Sequence, residues 1–315
     1  MKRLILALVA GVTLSVATAL SAVGAVAADV SLGCGDGTTV TVSIDTSLLI
    51  DLTGETQALN PAGLSCLLPT DSLDADTATV NAASVDPPTC FPTSRFQDGR
   101  FLSALLIDPL VPVTGTIDAG HVCDIAVYYD QLATVASVNG AEIENAVYYG
   151  VVDDNAKLPV NISSSSIHDI GDATFDGAQH GVGIFYTGDQ SSAGTVTGTV
   201  DSNSVYLYQK NGMAIKDGAS VRVTNNTVTG RGHTKIIAQN GIEFLHATSP
   251  DLTGNTISMN IYTQNTSCAP ACVGSTVGVT ATGFLLFDTN FKNPGQVAPY
   301  NHAYRNQVNY YVVNP

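Results

Sequence analysis

Two short patterns recur in the same order along most of the chain, and they constrain its fold more than any other feature. In one, a polar turn leads into a small β-branched stretch, as in Asn226-Thr227-Val228. In the other, a glycine opens an apolar stretch, as in Asn240-Gly241-Ile242. A unit of this kind, repeated at roughly 20–45 residues, cannot bury its apolar face alone and must stack on its neighbours. The first pattern occurs at residues 165–167, 203–205, 226–228, 255–257 and 306–308, and the second at residues 149–151, 180–184, 211–215, 240–244 and 282–285.

The stacked repeats predict an all-β solenoid in which equivalent residues line up from one repeat to the next. Asparagines before the small strands would then form a ladder in which each side-chain amide bonds to the next and satisfies backbone groups of the turns. Uneven spacing of the two patterns disfavours a β-propeller, whose blades are more regular. The predicted ladder consists of Asn203, Asn226, Asn255 and Asn306.

The order Asn-x-Val/Ile followed by Asn-Gly-Ile/Met, clearest in residues 221–244 and 252–257, resembles the repeats of the right-handed parallel β-helix (pectin-lyase-like) superfamily. The resemblance covers residues 113–313 or so. It implies a right-handed parallel β-helix. It leaves the chemistry open, because this fold hosts lyases, hydrolases, epimerases and non-catalytic surface proteins.

The N-terminus has the pattern of a signal peptide over residues 1–28. Lys2 and Arg3 precede an uncharged apolar run that closes on Ala25-Val26-Ala27, a sequence that signal peptidase accepts. A permanent membrane-spanning helix is the alternative, but no basic flank follows the run. We therefore expect cleavage near Ala27 or Ala28 and a secreted, extracellular protein.

Residues 29–112 lack the repeats, and we interpret them as a β-rich N-terminal cap on a β-helix formed by residues 113–315. Alternation over residues 39–44 and the apolar residues 48–52 predict strands, whereas the Pro/Asp-rich residues 77–92 predict a loop. A solenoid needs such a cover because its terminal repeat exposes an apolar face and a strand edge.

Six cysteines in an exported chain indicate disulfides rather than a zinc site, because no C-x-x-C or H-x-x-x-H pair is present. Sequence cannot choose among the possible pairings. Our hypothesis is sequential pairing, in which the second bond would join the cap to the first repeat. The three bonds would be Cys34–Cys66, Cys90–Cys123 and Cys268–Cys272.

The chain is strongly acidic, with a net charge of −15 that becomes more negative once Lys2 and Arg3 are removed. We therefore expect no nucleic-acid partner, no membrane partner and a monomer in solution. No cofactor is expected except Ca²⁺, for which oxygen-rich acidic loops are suitable. The candidate calcium ligands are Asp169, Asp172 and Asp176; a solvated acidic loop is the alternative.

Basic residues are few, and five of them cluster in two successive repeats. If they share one face, they would suit a uronic-acid polymer, whose β-elimination needs a base and a cation beside the carboxylate. The alternative is a set of solvated turn residues. The predicted substrate-binding residues are Lys210, Lys216 and Arg222, and the candidate bases are Arg231, His233 and Lys235.

A second catalytic hypothesis concerns Asp153-Asp154, which precede His180 and Lys216 in the chain. This order resembles polygalacturonase-type glycoside hydrolases, where paired carboxylates act across the sugar. The sequence departs from that pattern because Gln179 replaces the glycine before the histidine and Ala214 replaces the arginine two residues before the lysine.

Tyrosines occur in adjacent aromatic pairs, such as Tyr128-Tyr129 and Phe185-Tyr186. Because adjacent residues of a strand face opposite ways, one ring of each pair should point outwards. An outward row could stack on sugar rings; packing between repeats is the alternative. The residues predicted to contact the substrate are Tyr129, Tyr149 and Tyr186.

These features favour association with extracellular polysaccharide, as a non-catalytic binding or surface-interaction module. The alternative is a polysaccharide lyase or glycoside hydrolase acting on a uronate-containing polymer. Binding ranks first because neither catalytic set is complete in the sequence, so no enzyme class is assigned.

Overall fold

The computed structural model describes residues 87–188, 194–263 and 280–313, and also the backbone of three strands near the N-terminus. The chain divides into two compact units, residues 1–77 and 78–315. In the first unit, β1 (Leu14–Ser15), β2 (Ala27–Gly33) and β3 (Thr39–Asp45) form an antiparallel sheet. The strand predicted at residues 39–44 is confirmed. Most of the predicted signal peptide and the predicted strand at residues 48–52 lie outside the described residues.

The regular secondary structure in the described part of the second unit is β-strand, apart from two short 3-10 turns at Pro294–Gln296 and Ala298–Tyr300. No helix among the described residues is long and apolar enough to cross a membrane. The strands are β4 (Phe91–Gln97), β5 (Arg100–Ile107), β6 (Val113–Asp118), β7 (Ile125–Tyr129), β8 (Ser137–Glu144), β9 (Tyr149–Asp154), β10 (Val160–Ser163), β11 (Ser166–His168), β12 (Val182–Thr187), β13 (Thr197–Asp201), β14 (Ser204–Tyr206), β15 (Asn211–Lys216), β16 (Ser220–Thr224), β17 (Thr227–Thr234), β18 (Asn240–Leu245), β19 (Leu252–Thr253), β20 (Thr256–Tyr262), β21 (Thr282–Phe287), β22 (His302–Tyr304) and β23 (Val308–Val313).

The chain moves between two large sheets in a fixed cycle. Sheet I has the strand order β23-β21-β18-β15-β12-β9-β7-β5-β4, and sheet II contains the remaining strands. After β9, β12, β15 and β18 of sheet I, the chain adds one strand to each of the two halves of sheet II, which meet at β8, and then returns to sheet I. Every pair in the two sheets is parallel except β4 with β5. The predicted all-β class and the parallel pairing of successive repeats are confirmed.

Equivalent residues at the corners between strands share the left-handed backbone conformation, which lets the chain turn sharply. Most are Asn, Asp or Ser, whose short polar side chains tolerate this conformation. This is the physical reason for the polar punctuation in the sequence. The corner residues with positive φ include Asp108, Asn155, Asp217, His246 and Asp288 after sheet I, Ser164, Ser202 and Asn225 within sheet II, and Asn145, Asp169, Leu207 and Arg305 after sheet II.

The core lies between the sheets and is built from rows of equivalent apolar residues. One such row in sheet I runs through Val151, Ile184 and Met213, which are fully buried. The glycine before each of these residues is required by close packing. A Cβ at Gly212 would lie 2.4 Å from Val228 Cγ1 and 2.7 Å from the Gly241 carbonyl oxygen. The glycine pattern in the sequence therefore marks the place where neighbouring strands touch most closely.

The asparagine ladder forms, but its last member differs from the prediction. Side-chain amide bonds run from Asn203 to Asn226 at 3.0 Å, and from Asn226 to Asn255 at 2.9 Å. The next acceptor is Asn301, at 2.9 Å from Asn255 Nδ2. Asn306 belongs instead to a second ladder at the following corner, where Asn260 Nδ2 donates to its Oδ1 at 2.9 Å.

The predicted boundary at residue 113 is too late for the start of sheet I. β5 already pairs in parallel with β7, and β4 folds back on β5 in antiparallel fashion at the edge of the sheet. The predicted Cys90–Cys123 bond is present, with a Cα–Cα distance of 5.4 Å, and it joins the residue before β4 to the loop before β7. The cysteines of the other two proposed bonds lie outside the described residues.

Candidate functional site

A cavity of about 380 Å³ opens at the corner where strands β7 and β9 leave sheet I. Tyr129 pairs with Asp153 across these strands, so the residues that follow each strand are brought side by side. A residue of β4 completes the wall. We call this cavity the Asp130 pocket; it is lined by Ser94, Asp130, Gln131, Leu132, Asp154 and Asn155.

Asp154 is held in place on one wall of the pocket. Its Oδ2 accepts a hydrogen bond from the Tyr128 hydroxyl at 2.7 Å, and its Oδ1 accepts one from Arg95 Nη1 at 3.3 Å. Arg95 is itself fixed, because its guanidinium lies 4.5 Å from the centre of the Phe185 ring. Ser94 Oγ lies 2.8 Å from the Tyr128 hydroxyl oxygen. The carboxylate is therefore oriented before any ligand arrives.

Asp130 forms the opposite wall, with a second carboxyl group behind it. Its backbone N–H donates to Asp108 Oδ1 at 2.9 Å, and its own Oδ1 accepts from the Leu132 N–H at 2.7 Å. Burial, with a further contribution from the neighbouring Asp130 carboxylate, raises the pKa of Asp108 to about 7. The Asp108–Asp130 pair therefore holds a proton over part of the neutral pH range.

The rest of the lining consists of amides and one apolar side chain. The Asn155 backbone N–H donates to the Thr187 carbonyl oxygen at 3.1 Å, which fixes the corner. Gln131 is exposed, and Leu132 is 75% exposed. Carboxylates and amides together supply acceptors and donors for hydroxyl groups, and the leucine supplies an apolar contact. The volume falls within the roughly 300–1,000 Å³ of small-molecule sites.

Asp153 and Asp154, predicted as a catalytic pair, point to opposite faces of sheet I. Asp153 is 1% exposed and lies in the core between Tyr129 and Tyr186 of the neighbouring strands. Its Oδ1 accepts from the Ala156 N–H at 2.9 Å, its Oδ2 has no partner among the described residues, and burial raises its pKa to about 8. The two carboxyl groups cannot act together across a sugar.

His180, the third member of that hypothesis, is also committed elsewhere. Its Nε2 lies 2.8 Å from Asp172 Oδ2, and its ring stacks on Tyr148 at 4.1 Å between centres. The structure therefore does not assemble the polygalacturonase-like set of Asp153, Asp154 and His180.

The three tyrosines predicted to bind the substrate do not form an outward row. Tyr129 and Tyr186 are fully buried in the core, where their hydroxyls donate to Ser137 and Val160 carbonyl oxygens at 3.1 and 2.7 Å. Tyr149 faces outwards, but it is 4% exposed because Arg95 of β4 covers it. The alternative interpretation, packing between repeats, describes all three.

Lys210 and Lys216 are the two predicted basic residues that share one face, on the outer side of sheet I. Lys210 Nζ donates to the Ala238 carbonyl oxygen at 3.0 Å, and burial lowers its pKa. Lys216 Nζ lies 3.4 Å from Glu243 Oε1. Both ammonium groups are thus occupied within the protein.

The remaining basic residues lie on other surfaces, so the predicted cationic face is not formed. Arg222 is on sheet II and pairs with Asp251. Arg231 donates to the Leu207 and Tyr208 carbonyl oxygens, and burial lowers its pKa. His233 and Lys235 are exposed at the end of β17 and beyond it.

The three predicted calcium ligands do not come together as one set of carboxylates. Asp169 Oδ2 lies 2.8 Å from His168 Nδ1. Asp172 and Asp176 each accept a hydrogen bond from Gln209 Nε2 at 3.0 Å, which ties the loop to the next repeat. Among the residues that the structure describes, no group of three or more His, Cys, Asp or Glu side chains could hold a metal ion.

Sequence reasoning missed a buried polar network centred on Glu243. Asn211 Nδ2 donates to Glu243 Oε2, Asn240 Nδ2 donates to Asn211 Oδ1 at 3.1 Å, and Thr282 Oγ1 donates to Asn240 Oδ1 at 2.8 Å. The signal was present in the sequence, because Glu243 is the one charged residue in the apolar strand β18. The hydrogen bonds of this network and the ion pair between Lys216 and Glu243 use the polar groups of this face, so few of them remain for a ligand.

Comparison with protein-family models, with curated proteins and with solved structures gives no match. The Asp130 pocket is therefore the feature of the molecule from which a function is proposed.

Proposed function

We propose that this chain is a secreted right-handed parallel β-helix of the pectin-lyase-like type, and that it binds extracellular polysaccharide at the Asp130 pocket without cleaving it. The cyclic path through parallel sheets supports the fold assignment. Crossovers between parallel strands of one sheet are right-handed in about 98% of cases, which supports the handedness. Export is supported by the N-terminal pattern and by the Cys90–Cys123 disulfide, a bond typical of oxidising compartments.

The observation that carries the binding proposal is the composition of the Asp130 pocket. Two carboxyl groups, two amides and one hydroxyl converge on a space of about 380 Å³ beside an exposed leucine. Sugars present several hydroxyls on one side and a ring of C–H groups on another, so this mixture of groups suits them. The pocket also sits at a corner of the stacked repeats, where a polymer can pass without entering the core.

Binding ranks above catalysis because the predicted catalytic residues do not meet. The Asp153 and Asp154 carboxyls point to opposite faces, and Arg231 donates to two backbone carbonyls. His233 lies at the end of β17 and Lys235 beyond it, and neither lines the pocket. Of the predicted catalytic residues, only Asp154 lines the pocket.

One observation favours a second function, glycoside hydrolysis at the same pocket. Asp108, whose pKa is raised to about 7, contacts Asp130, so one carboxyl could donate a proton while another accepts one. Glycosidases divide the acid and base roles between two carboxyls on either side of the glycosidic bond; here these would be Asp154 and Asp130, the latter sharing its proton with Asp108. Release of new reducing ends that is lost in Asp108→Asn would favour hydrolysis.

The test is affinity electrophoresis of the purified protein in gels that contain a panel of neutral and acidic polysaccharides. We expect retardation by at least one polymer. Asp130→Ala and Asn155→Ala should each lose most of it, because each removes hydrogen bonds from the pocket. Asn161→Ala, an exposed asparagine on sheet II, is the matched control and should behave as the wild type. Retardation that survives both pocket substitutions would contradict the proposed site.

A further inference from the structure

We infer that the Asp130 pocket takes neutral, hydroxyl-rich sugars and excludes uronic acids. This inference rests on the proposed function and narrows it to one class of glycan. It also reverses the substrate class expected from the sequence, where the clustered basic residues favoured a uronate polymer.

The charges of the pocket argue against an acidic ligand. Asp130 and Asp154 line it, and Asp108 lies directly behind Asp130. Arg95, which contacts one of these carboxylates, pairs with Asp154 at 3.3 Å and lies over the Phe185 ring. A uronate carboxylate in the pocket would meet at least one uncompensated carboxylate and no cation among the lining residues, which is unfavourable in a partly desolvated site.

The other basic groups of the described residues do not line the pocket; Lys157 is exposed in the loop after β9, two residues beyond Asn155. Arg100 pairs with Asp124 at 2.6 Å, and Lys216 pairs with Glu243 at 3.4 Å. Lys210 and Arg231 donate to backbone carbonyls. None of these cations lines the Asp130 pocket.

The same groups are well placed for hydroxyls. A carboxylate accepts hydrogen bonds from two neighbouring hydroxyls, and bonds to charged acceptors are stronger than those between neutral groups. Asp154 is oriented by Tyr128 and Arg95, so little ordering is needed when a sugar binds. Asn155 and Gln131 can donate as well as accept, and Leu132 can contact the C–H face of the ring.

Repulsion by the whole acidic chain would also weaken uronate binding, so local and global effects must be separated. The net charge of −15 acts over long distances that salt screens beyond a Debye length of about 8 Å at physiological ionic strength. Contacts inside the pocket are screened much less. A uronate that is rejected only at low salt is rejected by the whole surface, whereas one rejected at all salt concentrations is rejected by the pocket.

The experiment is calorimetric titration of the purified protein with hexasaccharides at low and high NaCl. The neutral set is made of glucan, xylan, mannan and galactan fragments, and the acidic set is oligogalacturonate and oligoguluronate. We expect at least one neutral hexasaccharide to bind and both acidic ones to fail at either salt concentration. Asp130→Lys should weaken the neutral ligand about tenfold or more and allow an acidic one to bind.

Glu142→Lys is the matched charge reversal, on the outer face of sheet II, and its affinities should equal those of the wild type. Binding of an acidic hexasaccharide at high salt, unaffected by Asp130→Lys, would overturn the inference while leaving polysaccharide binding intact. An absence of binding by every hexasaccharide, together with no retardation by any polysaccharide, would overturn the proposed function itself.

Discussion

Asp153 and Asp154 are neighbours on β9, yet they belong to regions that treat a carboxyl group in opposite ways. Asp153 lies in the core, 1% exposed, with one oxygen that has no partner among the described residues. Asp154 lies on the outer side, where Arg95 and Tyr128 hold it at the wall of the pocket. Two adjacent residues of the strand therefore place one carboxyl group in the core and the other at the wall of the pocket.

The difference shows that face and row, rather than residue type, decide what a side chain does in stacked repeats. The row of Asp153 contains Tyr129 and Tyr186, which fill the core. The row of Asp154 contains Thr187 and Lys216, and Asp154 itself lies at the end of β9, beside Asn155 and close to Asp130. The inner region should therefore control stability and the outer region should control binding, and the following substitutions test that division.

The largest effect is expected from the pH dependence that Asp153 imposes on stability. Its pKa rises from 3.8 to about 8 on folding, so the folded state holds the proton more tightly than the unfolded state. The stability that this proton contributes is fully present below about pH 3.8 and is lost as the pH rises to about 8. Between pH 5 and 8 the wild type should lose on the order of 3 kcal/mol through this group.

Asp153→Asn should flatten that slope in thermal unfolding measured across pH 5 to 8.5. Asp154→Asn is the matched control, because it changes the same strand on the opposite face. Equal slopes for the wild type and Asp153→Asn would show that burial does not raise the pKa of Asp153.

A somewhat smaller effect is expected from the asparagine ladder, which belongs to the interior as well. Asn226 donates to the Val200 and Thr224 carbonyl oxygens and to Asn255, and accepts from Asn203. Asn226→Ala leaves these buried groups unpaired and should lower the free energy of unfolding by about 1–3 kcal/mol. Chemical denaturation measures this, and the exposed Asn161→Ala should change stability by less than about 0.5 kcal/mol.

A smaller change in stability is expected from Arg95, which packs on the outer side of sheet I against Phe185 and Asp154. Arg95→Ala removes the contact with Phe185 and the ion pair with Asp154, and should destabilise the protein by about 1–2 kcal/mol. It should also weaken glycan binding several-fold, because Asp154 loses its anchor. Removing the exposed pair through Arg222→Ala should cost about 0.5 kcal/mol or less and leave binding unchanged. If Arg95→Ala and Arg222→Ala changed glycan binding equally, Arg95 would have no specific role in the pocket.

The sequence predicted the repeats and the parallel stacking because these depend on local patterns. The observed disulfide is one of several pairings that the sequence left open. The sequence did not predict which aromatic residue of each pair faces outwards. Adjacent residues do alternate, with Tyr128 and Phe185 on the outer side and Tyr129 and Tyr186 in the core, but alternation alone does not tell which member faces which way. The last position of the ladder also differs, because the 3-10 turns before β22 bring Asn301 into that place instead of Asn306.

The Asp130 pocket could not be predicted from local patterns at all. Its residues come from β4, from the loop after β7 and from the end of β9. They meet only because β7 and β9 pair in register and because β4 folds over the outer side of sheet I. Asp130 and Asn155 look like ordinary turn residues in the sequence, and only the stacking shows that they face one space.

The most direct test of the account is hydrogen exchange with and without the neutral hexasaccharide that binds most tightly. We predict slower exchange at residues 130–132 and 154–155, the corner that forms the Asp130 pocket, and no change around Lys210 and Glu243. Protection around Lys210 and Glu243 with none at the corner would contradict the assignment of glycan binding to this pocket.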